Sequence, residues 1–288
     1  TKAVMQSQRD GYNHLYLLDL EKDELKQITT GKWVVQQFVG FNTMARRLIF
    51  RSNEADPRKS CLYSVKVSGG KRTPLGAQEG VCYQAQLSKS GAAVISAYTA
   101  PDVPRIINLL STTTGKGSNI LTAKDTWKEK GYCIPTFKSG SIKAADGITN
   151  LYYRMVLPSD FDEKKKYPTI VYVYGGPHAH LVDASWHWSS RGWETYMAQK
   201  GYIVFILDGR GSEWRGRDFE QATFRQLGTV ECQDQYQGVE HLMSLPYGDK
   251  DRMGVHGWSF GGFMTTNLML TFPEVFKVGV AGGPVLDW

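Results

Sequence analysis

Apolar and polar residues alternate with period two through roughly the first 130 positions of the chain. The alternation is clearest in three segments separated by Gly, Asp, Asn and Ser turns: His14–Leu20, Arg47–Arg51 and Cys61–Val67. Successive side chains of a strand point to opposite faces, so this period is typical of short β-strands. The regular spacing of strands and turns predicts an all-β array.

A weak repeat runs through the same region. Leu15-Tyr16 recurs as Leu62-Tyr63 after 47 residues, and Ile106-Ile107 opens a similar strand 44 residues after Leu62. Each of these strands is followed by a turn and a second short strand. Repeats of about 40 to 50 residues with four strands are typical of β-propeller blades. The sequence therefore predicts the last blades of a larger propeller, with a plain β-sandwich as the alternative.

From about residue 135 the pattern changes to continuous apolar strands that alternate with helical segments. The candidate strands are Leu151–Leu157, Thr169–Tyr174, Tyr202–Asp208, Met253–Gly257 and Lys277–Ala281, and the candidate helices are Ser185–Gln199, Val230–Leu245 and Gly261–Thr271. Apolar strands joined through helices predict a parallel sheet that helices cover on both faces. The second half of the chain is therefore expected to adopt an α/β fold.

Composition and charge narrow the functional classes. Of the 288 residues, 41% are hydrophobic and 22% charged, which is ordinary for a globular protein with a buried core. The net charge of +6 comes from basic residues scattered among acidic ones, and the run Lys164–Lys166 lies beside Asp160, Asp162 and Glu163. Such a run indicates a solvated loop, so we expect no nucleic-acid partner.

Neither the cysteines nor the apolar stretches indicate a metal site or a membrane span. The four cysteines form no CxxC pair and have no histidine at a metal-ligand spacing, so we predict no metal and no cofactor. Cys61 and Cys82 are open to two interpretations, a disulfide or two separate thiols. Apolar stretches such as Tyr202–Leu207 are far shorter than the ~20 residues of a spanning helix, so no membrane span is expected. The first residues, Thr-Lys-Ala-Val-Met-Gln, contain neither an initiator Met nor a signal peptide and suggest a start within a longer protein.

The strongest chemical motif is Gly257-Trp258-Ser259-Phe260-Gly261-Gly262. It follows the apolar strand Arg252–His256 and opens the helical segment Phe263–Leu270, which is the strand–turn–helix setting of a nucleophile elbow. We therefore predict Ser259 as the nucleophile of a hydrolase. The backbone N–H of Phe260, at the helix N-terminus, is then expected to bind the oxyanion of the transition state.

A second oxyanion donor is expected from the loop after an earlier strand. The strand Thr169–Tyr174 leads into the glycine-rich loop Gly175–His178, and Tyr174 places a phenol at the end of that strand. From the pattern alone, Tyr174 is equally consistent with a core aromatic residue and with an oxyanion donor.

Three ordered motifs carry a family resemblance. They are Tyr174-Gly175-Gly176-Pro177, Asp208-Gly209-Arg210-Gly211-Ser212 and the segment Gly257–Gly262. In this order and spacing the chain resembles the hydrolase domain of dipeptidyl peptidase IV, in the prolyl oligopeptidase superfamily. Its ending, Ala281–Trp288, is similar to that family too, and its N-terminal half resembles the family's last propeller blades.

The resemblance implies both a domain organisation and an activity. Residues 1–134 would be the propeller fragment, and residues 135–288 an α/β-hydrolase domain truncated after the nucleophile helix and the next strand. The activity would be that of a serine aminopeptidase that releases short peptides ending in Pro or Ala from substrates with a free N-terminus. Tyr174 would be the side-chain oxyanion donor, and Val285 and Trp288 two walls of the pocket for the Pro ring.

The sequence departs from the family pattern in two respects. Phe260 stands where the family commonly has Tyr, which leaves the backbone donor but removes a hydroxyl. In this fold the catalytic order is Ser, then Asp or Glu, then His, yet no histidine follows Ser259 and only Glu274 and Asp287 remain as acids. Of the earlier histidines, His178 is expected to be a loop residue and His256 a strand residue, so we expect the 288-residue chain by itself to be inactive.

Other readings remain open from the sequence. An acylaminoacyl-peptidase, an oligopeptidase or an esterase could use the same scaffold, and a non-catalytic binding homologue is the alternative from another class. A choice between di- and tripeptide release, and a homodimer of the full-length protein, also stay open. The resemblance favours an extracytoplasmic location, periplasmic or secreted, whereas the residues themselves leave the compartment undecided.

Overall fold

The computed structural model describes residues 1–287, which divide into two compact units. The first unit consists of Thr1–Asp125 together with two short segments, Asp183–His187 and Trp214–Asp218. The second consists of Thr126–Val182, Trp188–Glu213 and the chain from Phe219 onward. None of the helices in this described part of the chain is long and apolar enough to cross a membrane.

The first unit contains three antiparallel sheets that follow one another along the chain. Their strands are, in the first sheet, β1 (Lys2–Ser7), β2 (His14–Asp19) and β3 (Glu24–Gln27); in the second, β4 (Val35–Asn42), β5 (Arg47–Ser52), β6 (Cys61–Lys66) and β7 (Thr73–Pro74); and in the third, β8 (Val81–Leu87), β9 (Ala93–Ala100), β10 (Val103–Ser111) and β11 (Gly117–Thr122). Each sheet is a meander in which strands pair in chain order. The predicted repeat lies in β2, β6 and β10, the penultimate strand of each sheet.

The middle sheet buries both of its faces. In β5, Leu48 and Phe50 join a buried cluster with Leu15 of the first sheet, whereas Ile49 joins a second cluster with Val94 of the third sheet. All five side chains are fully buried. The alternation of period two therefore supplies two apolar faces, as a propeller blade between two other blades requires.

The second unit is built on one six-stranded sheet. Its strands are β12 (Thr136–Lys143), β13 (Asn150–Leu157), β14 (Tyr167–Tyr172), β15 (Ile203–Asp208), β16 (Gly248–Trp258) and β17 (Val278–Gly282), in the order β12-β13-β15-β14-β16-β17. β15, β14, β16 and β17 are parallel, as predicted, but β12 and β13 are antiparallel to their neighbours. The expectation that Leu151–Leu157 belongs to the parallel set was wrong, because the hairpin with β12 reverses its direction. β12 was not foreseen, since its mixed sequence TFKSGSIK contains no apolar run.

Helices cover both faces of this sheet. The helices of the chain are α1 (Thr126–Glu129), α2 (Gly192–Gln199), α3 (Arg217–Glu220), α4 (Val230–Ser244) and α5 (Phe260–Thr271), with 3₁₀ turns at Trp186–Ser189 and Gln221–Thr223. Val239 of α4 and Leu268 of α5 pack on the face that Phe205 presents, whereas Ala198 of α2 packs against Val204 on the opposite face.

The helix predicted over Ser185–Gln199 is shorter than expected. His187, Trp188 and Ser189 have φ values of 52°, 55° and 62°, so the backbone is left-handed there and a right-handed helix cannot continue through it. α2 accordingly begins only at Gly192.

The cysteines are all free thiols, which decides between the two interpretations of Cys61 and Cys82. Both are buried, and the Cys61 thiol lies 3.5 Å from the carbonyl oxygen of Gln78. Burial raises the pKa of the Cys61 thiol to about 12, so this group is protonated and unreactive at neutral pH.

Candidate active site

Ser259 occupies a sharp turn between β16 and α5. Its backbone has φ 58° and ψ −118°, a conformation that costs a residue with a side chain on the order of 1–3 kcal/mol. A serine at the residue before a helix ordinarily caps it, but the Ser259 side chain makes no capping hydrogen bond to α5. The residue is exposed, although it directly follows β16, an interior strand of the sheet. The strained turn therefore presents the hydroxyl to solvent and leaves it available for chemistry.

The glycines of the motif allow the turn to form against β14. A Cβ on Gly257 would overlap the carbonyl oxygens of Gly261 and Val173, and a Cβ on Gly261 would overlap that of Val173. Only glycine lets these backbones approach so closely. The Ser259 amide then donates to the carbonyl oxygen of Gly282, at the end of β17, over 2.8 Å.

Tyr174 lies two residues beyond the end of β14, on the loop that passes the N-terminus of α5. Its ring centroid is 6.1 Å from that of Phe260, the first residue of α5. Two residues further along the loop, Gly176 has to be glycine, because a Cβ at this position would lie 2.6 Å from the Phe260 ring. Tyr174 is partly buried, whereas Phe260 is buried. The structure thus brings together three of the predicted site residues, Ser259, Phe260 and Tyr174.

Of the two predicted pocket residues, Val285 lies within the described part of the chain. Val285 follows β17 and is 44% exposed. The preceding residue, Pro284, lies beside the motif, because its Cα is 3.1 Å from the position that a Cβ on Gly262 would take. Trp288 lies outside the described residues. The chain after β17 therefore passes the nucleophile helix, and Val285 is on that segment.

The two histidines weighed in the sequence lie where the sequence predicted them, one in a strand and one in a loop. His256 lies in β16, and its Nδ1 is 2.8 Å from the carbonyl oxygen of Val280 in β17. His178 is exposed on the loop after β14, where its φ is 59°. Within residues 1–287 no group of three or more His, Cys, Asp or Glu side chains could hold a metal ion.

A buried ionic network next to this loop was not foreseen from the sequence. Arg154 of β13 and Glu194 of α2 form a bidentate pair at 2.5 and 3.1 Å, and Arg191 also donates to Glu194 at 2.8 Å. Burial acts to raise the pKa of Glu194, but Arg154 first and Arg191 second outweigh it, so that pKa lies below its ordinary value. The one signal in the sequence was a charged residue, Arg154, inside the otherwise apolar strand Leu151–Leu157.

The fold and the turn at Ser259 define the class of the second unit, an α/β-hydrolase domain, and comparisons with known proteins define its family. The model of the prolyl oligopeptidase family matches residues 188–288. The model of the dipeptidyl peptidase IV N-terminal region matches residues 1–105.

Similar proteins agree with these matches. The dipeptidyl peptidase 4 of Trichophyton equinum is 31% identical over 98% of this chain and 37% of its own length. A crystal structure from Bacteroides ovatus, assigned as a dipeptidyl aminopeptidase IV, is 48% identical with a TM-score of 0.93, covering 100% of this chain and 43% of that one. The crystal structure of Porphyromonas gingivalis dipeptidyl peptidase 4 is 30% identical with a TM-score of 0.89, covering 99% and 40%.

The chain is therefore a dipeptidyl peptidase IV-like member of the prolyl oligopeptidase family. The predicted fold class, propeller blades followed by an α/β-hydrolase sheet, is confirmed. The chain spans about two fifths of the length of the relatives it matches, between 37% and 43% for these three.

Proposed function

We propose that this chain supplies the nucleophile and the oxyanion donors of a serine exopeptidase that releases short N-terminal peptides after Pro or Ala. The observation that carries the proposal is the strained, exposed backbone of Ser259 at the turn from β16 into α5. Strain of this kind persists only where the surrounding structure enforces it, and it concentrates at functional sites. The matched relatives named dipeptidyl peptidase 4 support the peptidase class.

The reaction would proceed through an acyl-enzyme. The Ser259 hydroxyl oxygen attacks the scissile carbonyl carbon while a general base takes its proton, and the carbonyl oxygen becomes an oxyanion. The Tyr174 hydroxyl and the Phe260 backbone N–H donate to that oxyanion. Collapse of the intermediate breaks the C–N bond, the leaving amine takes the proton, and water then hydrolyses the ester at Ser259.

The base and its orienting acid are not among the candidate residues of this chain. In α/β hydrolases the acid and then the histidine follow the nucleophile along the chain, and no histidine follows Ser259. A serine hydroxyl is a weak nucleophile until a positioned base removes its proton. Catalysis is therefore proposed for the whole protein, and the 288-residue chain by itself is expected to be inactive.

Substrate selection would come from the segment after β17. Val285, partly exposed beside the nucleophile helix, would form one wall of an apolar pocket for the Pro or Ala side chain, and Trp288 a second wall. An apolar pocket of this kind discriminates by shape, whereas recognition of the free N-terminus requires acidic groups that we assign to no residue of this chain.

Labelling with a fluorophosphonate probe tests the nucleophile in the whole protein. We expect one labelled serine, loss of labelling in Ser259→Ala, and unchanged labelling in the control Ser244→Ala. Ser244 is exposed at the end of α4, where its hydroxyl donates to the His241 carbonyl oxygen. Labelling that persists in Ser259→Ala would refute the assignment. If peptides with an acylated N-terminus are turned over as fast as peptides with a free N-terminus, the result would instead favour an acylaminoacyl-peptidase or oligopeptidase.

A further inference from the structure

The loop that carries Tyr174 runs from Val173, just after β14, to Val182, and it is held at both ends. Its first end follows β14, where the Val173 amide donates to the His256 carbonyl oxygen over 2.9 Å. Between the two ends the backbone is left-handed at Gly175 and His178, with φ values of 70° and 59°. Glycine adopts this conformation freely, but His178 needs surrounding contacts to hold it.

Two buried charged side chains hold the far end of the loop. The Asp208 carboxylate accepts the Leu181 amide at 2.9 Å and the Val182 amide at 2.8 Å. Arg154 donates from Nε to the carbonyl oxygen of Leu181 at 3.0 Å. The peptide group between Leu181 and Val182 is therefore held from one side by a carboxylate and from the other by a guanidinium.

The sheet places these two side chains together. Asp208 ends β15 and is paired with Tyr152 of β13. Arg154 lies two residues after Tyr152 on the same strand, so the side chains of Asp208 and Arg154 project from the same face of the sheet. Arg154 is in turn fixed by Glu194 of α2. Asp208 and Arg154 are 7% and 2% exposed, so neither gains solvation from water.

A carboxylate in this position is costly to keep. Burial raises the pKa of Asp208 above its ordinary value, against the opposing effects of His180 and of the two amides. Apolar residues would pack this face at a lower cost, since Tyr172, Val182, Val204 and Ile206 already do so around it. The presence of these two charged side chains therefore points to the geometry of the loop rather than to packing alone.

We propose that Asp208 and Arg154 are positioning residues, which clamp the Leu181–Val182 peptide so that the loop presents Tyr174 to the oxyanion. The inference rests on the proposed function, in which Tyr174 is the side-chain donor. A donor displaced by about 1 Å can cost on the order of 10²-fold in rate, so a clamp at the far end of a short loop matters for kcat. Because the clamp acts only through the donor, its removal should leave KM almost unchanged.

The test is a double-mutant cycle in the whole protein with Asp208→Asn and Tyr174→Phe. Asn removes the negative charge and puts an NH₂ donor in place of the carboxylate oxygen that accepts the Leu181 amide at 3.1 Å, so the clamp is weakened while the shape is kept. Asp208→Asn should lower kcat roughly 10- to 10²-fold in the parent but less than about twofold in the Tyr174→Phe background. Equal losses in both backgrounds would overturn the proposal, since a merely structural role does not depend on Tyr174.

Hydrogen exchange provides a readout that does not depend on activity. Peptides covering residues 175–182 should exchange at least about tenfold faster in Asp208→Asn, with exchange in β16 and α5 unchanged. The control Asp162→Asn, which loses a carboxylate oxygen that accepts the Lys164 amide in an exposed turn, should change neither the loop nor kcat. Unchanged exchange in the loop would overturn the clamp.

A second variant guards against misfolding of Asp208→Asn. Arg154→Lys keeps the charge but cannot donate to both Leu181 and Glu194 with a planar fork, so the same pattern is expected with smaller losses. Wild-type kcat and exchange in this variant would contradict the clamp. Peptidase activity that survives Ser259→Ala would instead overturn the proposed function, and the exchange experiment would still decide whether the clamp holds the loop.

Discussion

Removal of the Glu194 carboxylate tests how the second unit is held together. This side chain is fully buried and accepts four hydrogen bonds, two from the guanidinium of Arg154 at 2.5 and 3.1 Å and two from Arg191, at 2.8 Å from Nε and 3.1 Å from the backbone. Glu194→Leu leaves Arg154 buried with only the Leu181 carbonyl oxygen as a partner. Because removing one member of a buried pair strands the other charge, we expect the free energy of unfolding to fall by about 3–5 kcal/mol.

The double variant Arg154→Met/Glu194→Leu separates charge pairing from other effects. It removes both buried charges, while Arg191, which stacks 4.0 Å above the Tyr172 ring, can turn to solvent. The remaining cost is the unsatisfied Leu181 carbonyl group, worth about 1–3 kcal/mol. The double variant should therefore be more stable than Glu194→Leu alone, and the two single costs should not add.

Hydrogen exchange of the β13 and β15 amides measures these differences as free energies of opening. The control is Glu163→Gln, whose exposed partner Lys138 lies 3.9 Å away and which should cost less than about 0.5 kcal/mol. The pKa of Glu194 is lowered, so its contribution is present above the ordinary value of 4.5 and is lost as pH falls below it. A cost for Glu194→Leu below about 1 kcal/mol, or single costs that add, would show that Arg154 and Glu194 are not an energetically coupled buried pair.

Two further predictions concern the candidate active site. Tyr174→Phe keeps the ring against Phe260 and removes only the hydroxyl, so kcat should fall about 10²–10³-fold with little change in KM. The control Tyr196→Phe, at an exposed position of α2, should change neither constant. A kcat within about threefold of the parent would make Tyr174 a core aromatic residue. Gly261→Ala places a Cβ against the Val173 carbonyl oxygen, so it should lower both the melting temperature and the rate of fluorophosphonate labelling. The control Gly192→Ala, whose new Cβ would meet no neighbouring group within 4 Å, should preserve both. Equal behaviour of the two variants would contradict the close approach at Gly261.

The sequence predicted most of the fold because the patterns of apolar residues in its two halves are clearly different. Alternation in β5 and β6 and continuous apolar runs in β14 and β15 define the two kinds of sheet, and the motif around Ser259 is local enough to be found by spacing. β12 was missed because an edge strand such as Thr136–Lys143 needs no apolar run. The start of α2 was predicted too early because none of the residues in the left-handed turn before it is a type that indicates such a turn.

The candidate site was predictable only where its residues are close in sequence. Ser259 and Phe260 are adjacent, but Arg154 and Glu194 are separated by 40 positions and Asp208 by 27 from Leu181. No spacing rule connects such residues, since the sheet order brings them together. Asp208 belongs to a motif that carried the family resemblance, yet its contact with the loop after β14 is visible only in three dimensions.

Trapping of the acyl-enzyme tests whether Ser259 is the nucleophile. The whole protein would be quenched during turnover of a Gly-Pro ester and digested, and the mass of the peptide that contains Ser259 would be measured. We expect this peptide to gain the mass of one Gly-Pro acyl group on Ser259, and Ser259→Ala to form neither adduct nor product. An acyl group on another residue, or product release by Ser259→Ala at the parent rate, would contradict this assignment.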